Sequence, residues 1–141
     1  MAKKLAIVFG VVFVLVGLAG FVPNPLVGAG ALFDTNLLHD LVHLAFGLIL
    51  LVVAYVAGGK SAFWLKILGV VYLLIAVLGF LLVPNGGDLL GLVTTNLADH
   101  LLHVILGVVL LVVGFLGAGG SKPSAPAMPA PSSPVMPGPT M

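Results

Sequence analysis

Two short segments of the chain combine histidine and aspartate at the spacing of one helical turn. The ionisable residues in them are His39, Asp40, His43, Asp99, His100 and His103. Residues four apart lie on nearly the same face of a helix, which places His39 beside His43. The same spacing places Asp99 beside His103. Each segment therefore offers imidazole and carboxylate groups on one side of a helix.

Imidazole pairs with carboxylates nearby are a common ligand set for zinc and other divalent metals. Neither segment alone supplies enough ligands for a closed site, so a metal site requires the two segments to meet. The candidate metal ligands are His39, His43, His100 and His103.

Haem and transport are two further interpretations of the same histidines. Haem ligated by two imidazoles would use His43 and His103, although the chain has no cysteine for covalent haem attachment. A proton relay in a small transporter would need more ionisable groups along the membrane-spanning segments, where the sequence offers only Tyr72 at mid-depth.

The polar residues also fit a structural role without any cofactor. Asn36 and Asn96 precede the two segments and are suitable N-caps, and a carboxylate in the first turn, as at Asp40 or Asp99, is favoured by the helix dipole. His43 and its counterpart in the second segment would then hydrogen-bond between helices. The sequence contains no motif for Ser-His-Asp catalysis or for phosphate or dinucleotide binding. On this interpretation the protein is not an enzyme.

Four apolar runs must position these residues. They cover residues 5–22, 37–57, 63–83 and 97–118, and each is about the length that crosses about 30 Å of hydrocarbon as a helix. Of the 141 residues, 61% are hydrophobic and 6% are charged. A soluble domain of this size cannot bury so much apolar surface, so the solvent for most of the chain is the lipid bilayer. We predict an all-α membrane protein with four transmembrane helices. The net charge of +1 gives no reason to expect a nucleic-acid partner.

Segments sixty residues apart resemble each other. Residues 35–53 read TNLLHDLVHLAFGLILLVV, and residues 95–113 read TNLADHLLHVILGVVLLVV. Upstream, GLAGFVPN at 17–24 resembles VLGFLLVPN at 77–85 with one insertion. The first run therefore corresponds to the third, and it is a retained span rather than a cleaved signal peptide. We expect two tandem helix-loop-helix repeats related by a pseudo-two-fold axis along the membrane normal.

The lysines indicate the orientation in the membrane. Lys3 and Lys4 lie at the N-terminus, Lys60 in the central connection and Lys122 just after the fourth run, and Lys66 lies about one turn inside the cytoplasmic start of the third run. By the positive-inside rule both termini face the cytoplasm, and the loops after the first and third runs face outward. Both outward loops are apolar and are expected to fold over the bundle or lie in the interface. Residues 119–141 are rich in Pro, Ala and Ser, which predicts a disordered cytoplasmic tail.

Three segments resemble a bacterial family of four-span proteins catalogued as domain of unknown function 4383. They read NLLHDLVHLAFG at 36–47, GVVYLLIAVLGF at 69–80 and NLADHLLHVILG at 96–107. The resemblance covers about residues 5–117 and implies a bacterial inner-membrane protein; His43 and His103 fit its pattern. It implies no reaction. We therefore expect a structural or accessory membrane component that contacts lipid and associates with itself or with a larger complex.

Overall fold

The computed structural model describes residues 1–118, in which four long helices are joined by two strand-bearing loops and one short link. The helices are α1 (Ala2–Ala19), α2 (Leu37–Val56), α3 (Ser61–Leu82) and α4 (Leu97–Ala118). The short link is a 3-10 turn at Gly58–Lys60. The strands are β1 (Val27–Gly28), β2 (Phe33–Asp34), β3 (Gly87–Leu89) and β4 (Val93–Thr95). Strands β1 and β2 pair in parallel, and β3 and β4 pair antiparallel. The predicted tail, 119–141, lies outside the described residues.

All four helices are long and apolar enough to span a membrane. Their most apolar stretches have a mean hydropathy of 2.2 to 2.6, and only 28–33% of the residues in those stretches are buried inside the bundle. The outward-facing side chains are themselves apolar, as at Leu15, Leu74 and Val112. Such faces are solvated by lipid rather than by water. Within residues 1–118 the prediction of an all-α fold with four span-length helices is confirmed.

Helix α1 begins and ends three residues earlier than the predicted span of 5–22. The side chain of Asn24 accounts for its end. Asn24 Nδ2 donates to the carbonyl oxygen of Ala19 at 2.9 Å, and Asn24 Oδ1 accepts from the amide of Val27 at 2.9 Å. One side chain thus ties the last turn of α1 to β1, and Phe21 and Val22 belong to the loop. The bounds of the other three helices differ from prediction by at most two residues.

The helices pack as two hairpins, α1 with α2 and α3 with α4. Glycine allows the backbones to touch within each hairpin. A Cβ atom at Gly10 would lie 3.0 Å from the carbonyl oxygen of Gly47, and one at Gly69 would lie 2.9 Å from the carbonyl oxygen of Gly107. Small residues at such crossings are the usual means of close helix packing in lipid.

The two hairpins meet along a core of buried side chains. Phe13 on α1 stacks on Tyr72 on α3, with ring centroids 5.3 Å apart and planes inclined by 6°. Leu50, Leu65 and Leu110 belong to the same core, and none of the three is exposed at all. The core therefore draws side chains from all four helices.

The two loops interlock at one end of the bundle, which we call the loop end and define as residues 20–36 and 83–96. Asn36 Nδ2 donates to the carbonyl oxygen of Leu92 at 2.9 Å. Asn96 Nδ2 donates to the carbonyl oxygen of Leu32 at 2.9 Å. In each case an amide at the start of a helix reaches the loop of the other hairpin. The loop end is thus closed by hydrogen bonds between the hairpins.

Candidate metal-binding site

Three buried histidines meet at the loop end of the bundle. His39 and His43 come from α2, His103 comes from α4, and none is more than 8% exposed. One ring nitrogen from each lies within 4.8 Å of the others. His39 Nε2 is 3.1 Å from His43 Nε2. This three-histidine cluster therefore brings together ligand atoms from both hairpins.

The start of each helix positions these side chains. Asn36 is the N-cap of α2, and its Oδ1 accepts from the amide of His39 at 3.0 Å. The bond fixes the first turn, so that His39 and, one turn later, His43 face the same way. In the other hairpin Asn96 Oδ1 accepts from the amide of Asp99 at 3.1 Å, and the following turn carries the third histidine.

Backbone carbonyls orient two of the three rings. His39 Nδ1 lies 2.8 Å from the carbonyl oxygen of Thr94, and His103 Nδ1 lies 2.6 Å from the carbonyl oxygen of Asp99. A carbonyl group only accepts hydrogen bonds, so each Nδ1 atom must donate its hydrogen. In the neutral imidazole, Nε2 then carries a free lone pair. Metal-ligating histidines are held in this way by a hydrogen bond from their second nitrogen.

The third ring of the cluster has an unsatisfied nitrogen. His43 Nδ1 is buried and has no hydrogen-bond partner within residues 1–118. His43 Nε2 faces His39 Nε2, which already carries a lone pair. Leaving a polar atom buried and unpaired costs about 1–3 kcal/mol, and such atoms recur where an ion or a function compensates for them.

His100 and Asp99 hydrogen-bond with backbone groups at the loop end. The His100 ring packs against Gly79, and its Nε2 is 2.9 Å from the carbonyl oxygen of Val83. Asp99 Oδ2 accepts from the amide of Asn96 at 2.9 Å, within its own hairpin, and from the amide of Asp34 at 3.1 Å, in the loop of the other hairpin. The predicted four-histidine set is therefore reduced to three, because His100 lies outside the cluster.

Asp40 takes no part in the cluster either. It is 4% exposed, and its carboxylate lies beside Gly20, where α1 ends. This placement corresponds to that of His100 beside Gly79 in the second hairpin. Asp40 and His100 each contact a glycine of their own hairpin, and neither belongs to the three-histidine cluster.

A cavity of about 210 Å³ adjoins the cluster, and all three histidines contribute to its wall. Tyr72 also lines it. This tyrosine is 1% exposed, and its hydroxyl has no hydrogen-bond partner in the described part of the chain. A second cavity, of about 190 Å³, shares His43, Tyr72 and His103 with the first. The histidine and aspartate spacing did not identify Tyr72 as part of this site. The sequence marks this residue in one way, as the ionisable residue at mid-depth of the predicted spans.

Three neutral imidazoles at these distances can hold a divalent transition-metal ion with one coordination position open. Comparison with known proteins does not identify a reaction for this chain. No curated protein and no solved structure matches the chain. The family described as Domain of unknown function (DUF4383) matches residues 3–116. Since that match covers nearly all of the described residues, the chain belongs to the DUF4383 family.

Proposed function

We propose that this protein is a metal-binding membrane protein in which a divalent transition-metal ion joins the two helical hairpins at the loop end. One observation carries the proposal: three buried imidazoles from two hairpins have ring nitrogens within 4.8 Å of one another. Three protein ligands are typical of zinc sites that keep one position open. Imidazole also suits copper and nickel, so the ligand set defines a class of metals rather than one metal.

The pattern of hydrogen atoms favours an ion over a purely hydrogen-bonded cluster. The Nε2 atoms of His39 and His103 carry lone pairs because the Nδ1 atoms donate to carbonyl groups. Only His43 Nε2 remains to donate to one of them, and its Nδ1 is then an unpaired acceptor. An ion at the centre of the cluster would accept lone pairs from all three rings.

The geometry favours a bare ion over haem. A macrocycle ligated by His43 would occupy the space directly beyond its Nε2 atom. His39 Nε2 stands there instead, at 3.1 Å. The adjoining cavity of about 210 Å³ is also smaller than a haem group. No comparable observation among residues 1–118 supports a transporter.

The metal site agrees with a structural or accessory role in the membrane. The ion would bind α2 through His39 and His43 and α4 through His103, whereas α2 and α4 pack mainly against α1 and α3. It would thus join two hairpins that otherwise meet through the core and the interlocked loops. We propose that the stabilised bundle is an accessory component of the bacterial inner membrane.

A tandem duplication of the hairpin belongs to the same proposal. Two observations support it. The bond from Asn36 to Leu92 has a counterpart in the bond from Asn96 to Leu32. The two donors are sixty positions apart in the sequence, and so are the two acceptors. His43 and His103, which differ by the same number, lie in one cluster. A pseudo-two-fold axis between these two histidines accounts for both.

Metal titration of the detergent-purified full chain tests the proposal. After treatment with a chelator and its removal, Zn²⁺ or Co²⁺ should bind at one ion per chain, measured by equilibrium dialysis with elemental analysis. His43→Ala or His103→Ala should weaken binding by roughly tenfold or more, since disturbing even the groups that orient a ligand costs about that much. Binding should also weaken as the pH falls, because protons compete for the imidazole nitrogens.

His100→Ala is the matched control, because His100 lies outside the cluster. It should bind metal as the unaltered chain does. A chain that takes up no metal, or a His100→Ala variant that loses as much affinity as His43→Ala, would contradict the proposal.

A further inference from the structure

The cavity beside the three-histidine cluster is apolar except at the cluster itself and at two hydroxyl groups. Its wall consists of the three histidines, the hydroxyl-bearing residues Tyr72 and Thr95, and apolar side chains of α2, α3 and the β3–β4 loop. Of the two hydroxyl groups, Thr95 Oγ1 donates to the carbonyl oxygen of Gly87. The hydroxyl of Tyr72 therefore remains as a buried donor without a partner within residues 1–118.

The size of the cavity limits its occupant. An apolar cavity of about 150 Å³ stays dry and binds benzene, which has six carbon atoms. A cavity of about 210 Å³ therefore holds roughly eight non-hydrogen atoms at the same density. Its apolar wall favours an apolar body over water.

The cavity opens towards the apolar outer surface of the bundle. Val42 and Phe46 come from α2, whereas Ile75 and Leu78 come from α3 in the other hairpin. Leu78, Leu90 and Leu92 are exposed large apolar residues that also line the cavity. An occupant therefore reaches the histidines past exposed apolar side chains of α3 and of the β3–β4 loop.

We infer that the open coordination position of the metal receives a small lipid-soluble phenol in its neutral form, whose oxygen binds the metal with one lone pair, accepts the hydrogen bond of the Tyr72 hydroxyl with the other and keeps its own proton. The inference rests on the proposed metal site. A phenol combines the features that the cavity requires: an apolar ring of the right size and a single oxygen at one end. The phenol oxygen binds the ion and the unpaired hydroxyl, and the ring packs against the apolar wall.

Cobalt spectroscopy tests this inference on the full chain in detergent, because the visible bands of bound Co²⁺ change when its ligands change. The probe is 4-methylphenol, and toluene is the matched probe without oxygen. We expect 4-methylphenol to change the cobalt bands in a saturable manner and toluene to leave them unchanged. Tyr72→Phe should weaken the 4-methylphenol affinity by about five- to tenfold, since it removes one hydrogen bond.

Variants that fill the cavity provide the second part of the test. Ile75→Trp should weaken 4-methylphenol binding at least tenfold while Co²⁺ still binds, and Val77→Trp, on the exposed face of α3, should change neither. Leu78→Phe is a second filling variant for the case in which Ile75→Trp does not fold.

The outcomes separate the two proposals. Co²⁺ binding without a response to 4-methylphenol overturns this inference and leaves the metal site in place. Failure to bind Co²⁺ overturns both. An equal response to toluene, or undiminished 4-methylphenol binding in both filling variants, shows that the cavity does not receive the phenol and overturns the inference.

Discussion

The carbonyl groups of Thr94 and Asp99 determine which nitrogen of each neighbouring histidine is available to a metal. Thr94 belongs to the second hairpin, yet it accepts the hydrogen bond of His39 in the first. Asp99 accepts that of His103 within its own helix. Both bonds leave Nε2 directed away from the carbonyl and free to ligate. The ligand set therefore depends on the loops being in place, as well as on the histidines themselves.

The buried hydroxyl of Tyr72 leads to a prediction about stability. We expect Tyr72→Phe to raise the free energy of unfolding of the metal-free protein by about 1 kcal/mol, because it removes a buried polar group that lacks a partner. Thermal or denaturant unfolding in detergent, followed by circular dichroism, measures the change.

Tyr55→Phe is the control for this prediction, since Tyr55 is 69% exposed. Its stability should match that of the unaltered chain. If Tyr72→Phe proves less stable than Tyr55→Phe, the Tyr72 hydroxyl makes a stabilising bond and the prediction is wrong.

Spacing alone identified the histidines as candidates but could not say which of them meet. Neighbouring residues on a helix point about 100° apart, so one of each His-Asp pair faces the other hairpin and one does not. The order of the pair is reversed between the segments, His39-Asp40 in one and Asp99-His100 in the other. As a result His39 enters the cluster, whereas His100 turns towards Gly79. The choice depends on packing that no local pattern encodes.

At the level of elements, the interlocked loops lead to a prediction that separates two roles of one side chain. Asn36 caps α2 through Oδ1 and binds the second loop through Nδ2. Asn36→Asp keeps the cap but loses the donor, and it should lower stability by about 1 kcal/mol. Asn36→Ala loses both and should lower stability by about 2 kcal/mol.

Amide hydrogen exchange checks this assignment. In Asn36→Asp, exchange should accelerate in residues 83–96 and remain unchanged in the first turns of α2. Unchanged exchange in the second loop, or accelerated exchange at the start of α2, would argue against it.

The helices followed from the sequence, whereas the strand pairs did not. Long apolar runs must become helices in lipid because their backbone groups need partners within the segment. The strands are only two or three residues long, which is too short for an alternating pattern. The turn of the β3–β4 pair is made by Leu90 and Gly91, with φ of 56° and 70°. Leucine is unusual in that conformation, so the common Asn-Gly signal of such a turn is missing.

For the whole molecule, the lysine distribution predicts that the loop end faces outward and the Gly58–Lys60 turn faces the cytoplasm. The chain has no cysteine, so single substitutions give unique labels. In intact cells a membrane-impermeant maleimide should label Ala29→Cys, an exposed position of the loop end. Gly59→Cys should react only after the membrane is permeabilised. If only Gly59→Cys were labelled in intact cells, the orientation would be the opposite of the predicted one. Equal labelling of both variants would contradict the hairpin arrangement.

The hydrogen bond from Asn36 to Leu92 also has a consequence for biosynthesis. Its two residues are 56 positions apart, and ribosomes add about 5–20 residues per second, so the acceptor is synthesised roughly 3–11 s after the donor. Throughout that interval the nascent first hairpin carries an amide and an imidazole whose final acceptors have not yet been translated. Ribosome pausing between the two hairpins would prolong this interval, in which Asn36 and His39 lack the acceptors that they have in the folded bundle.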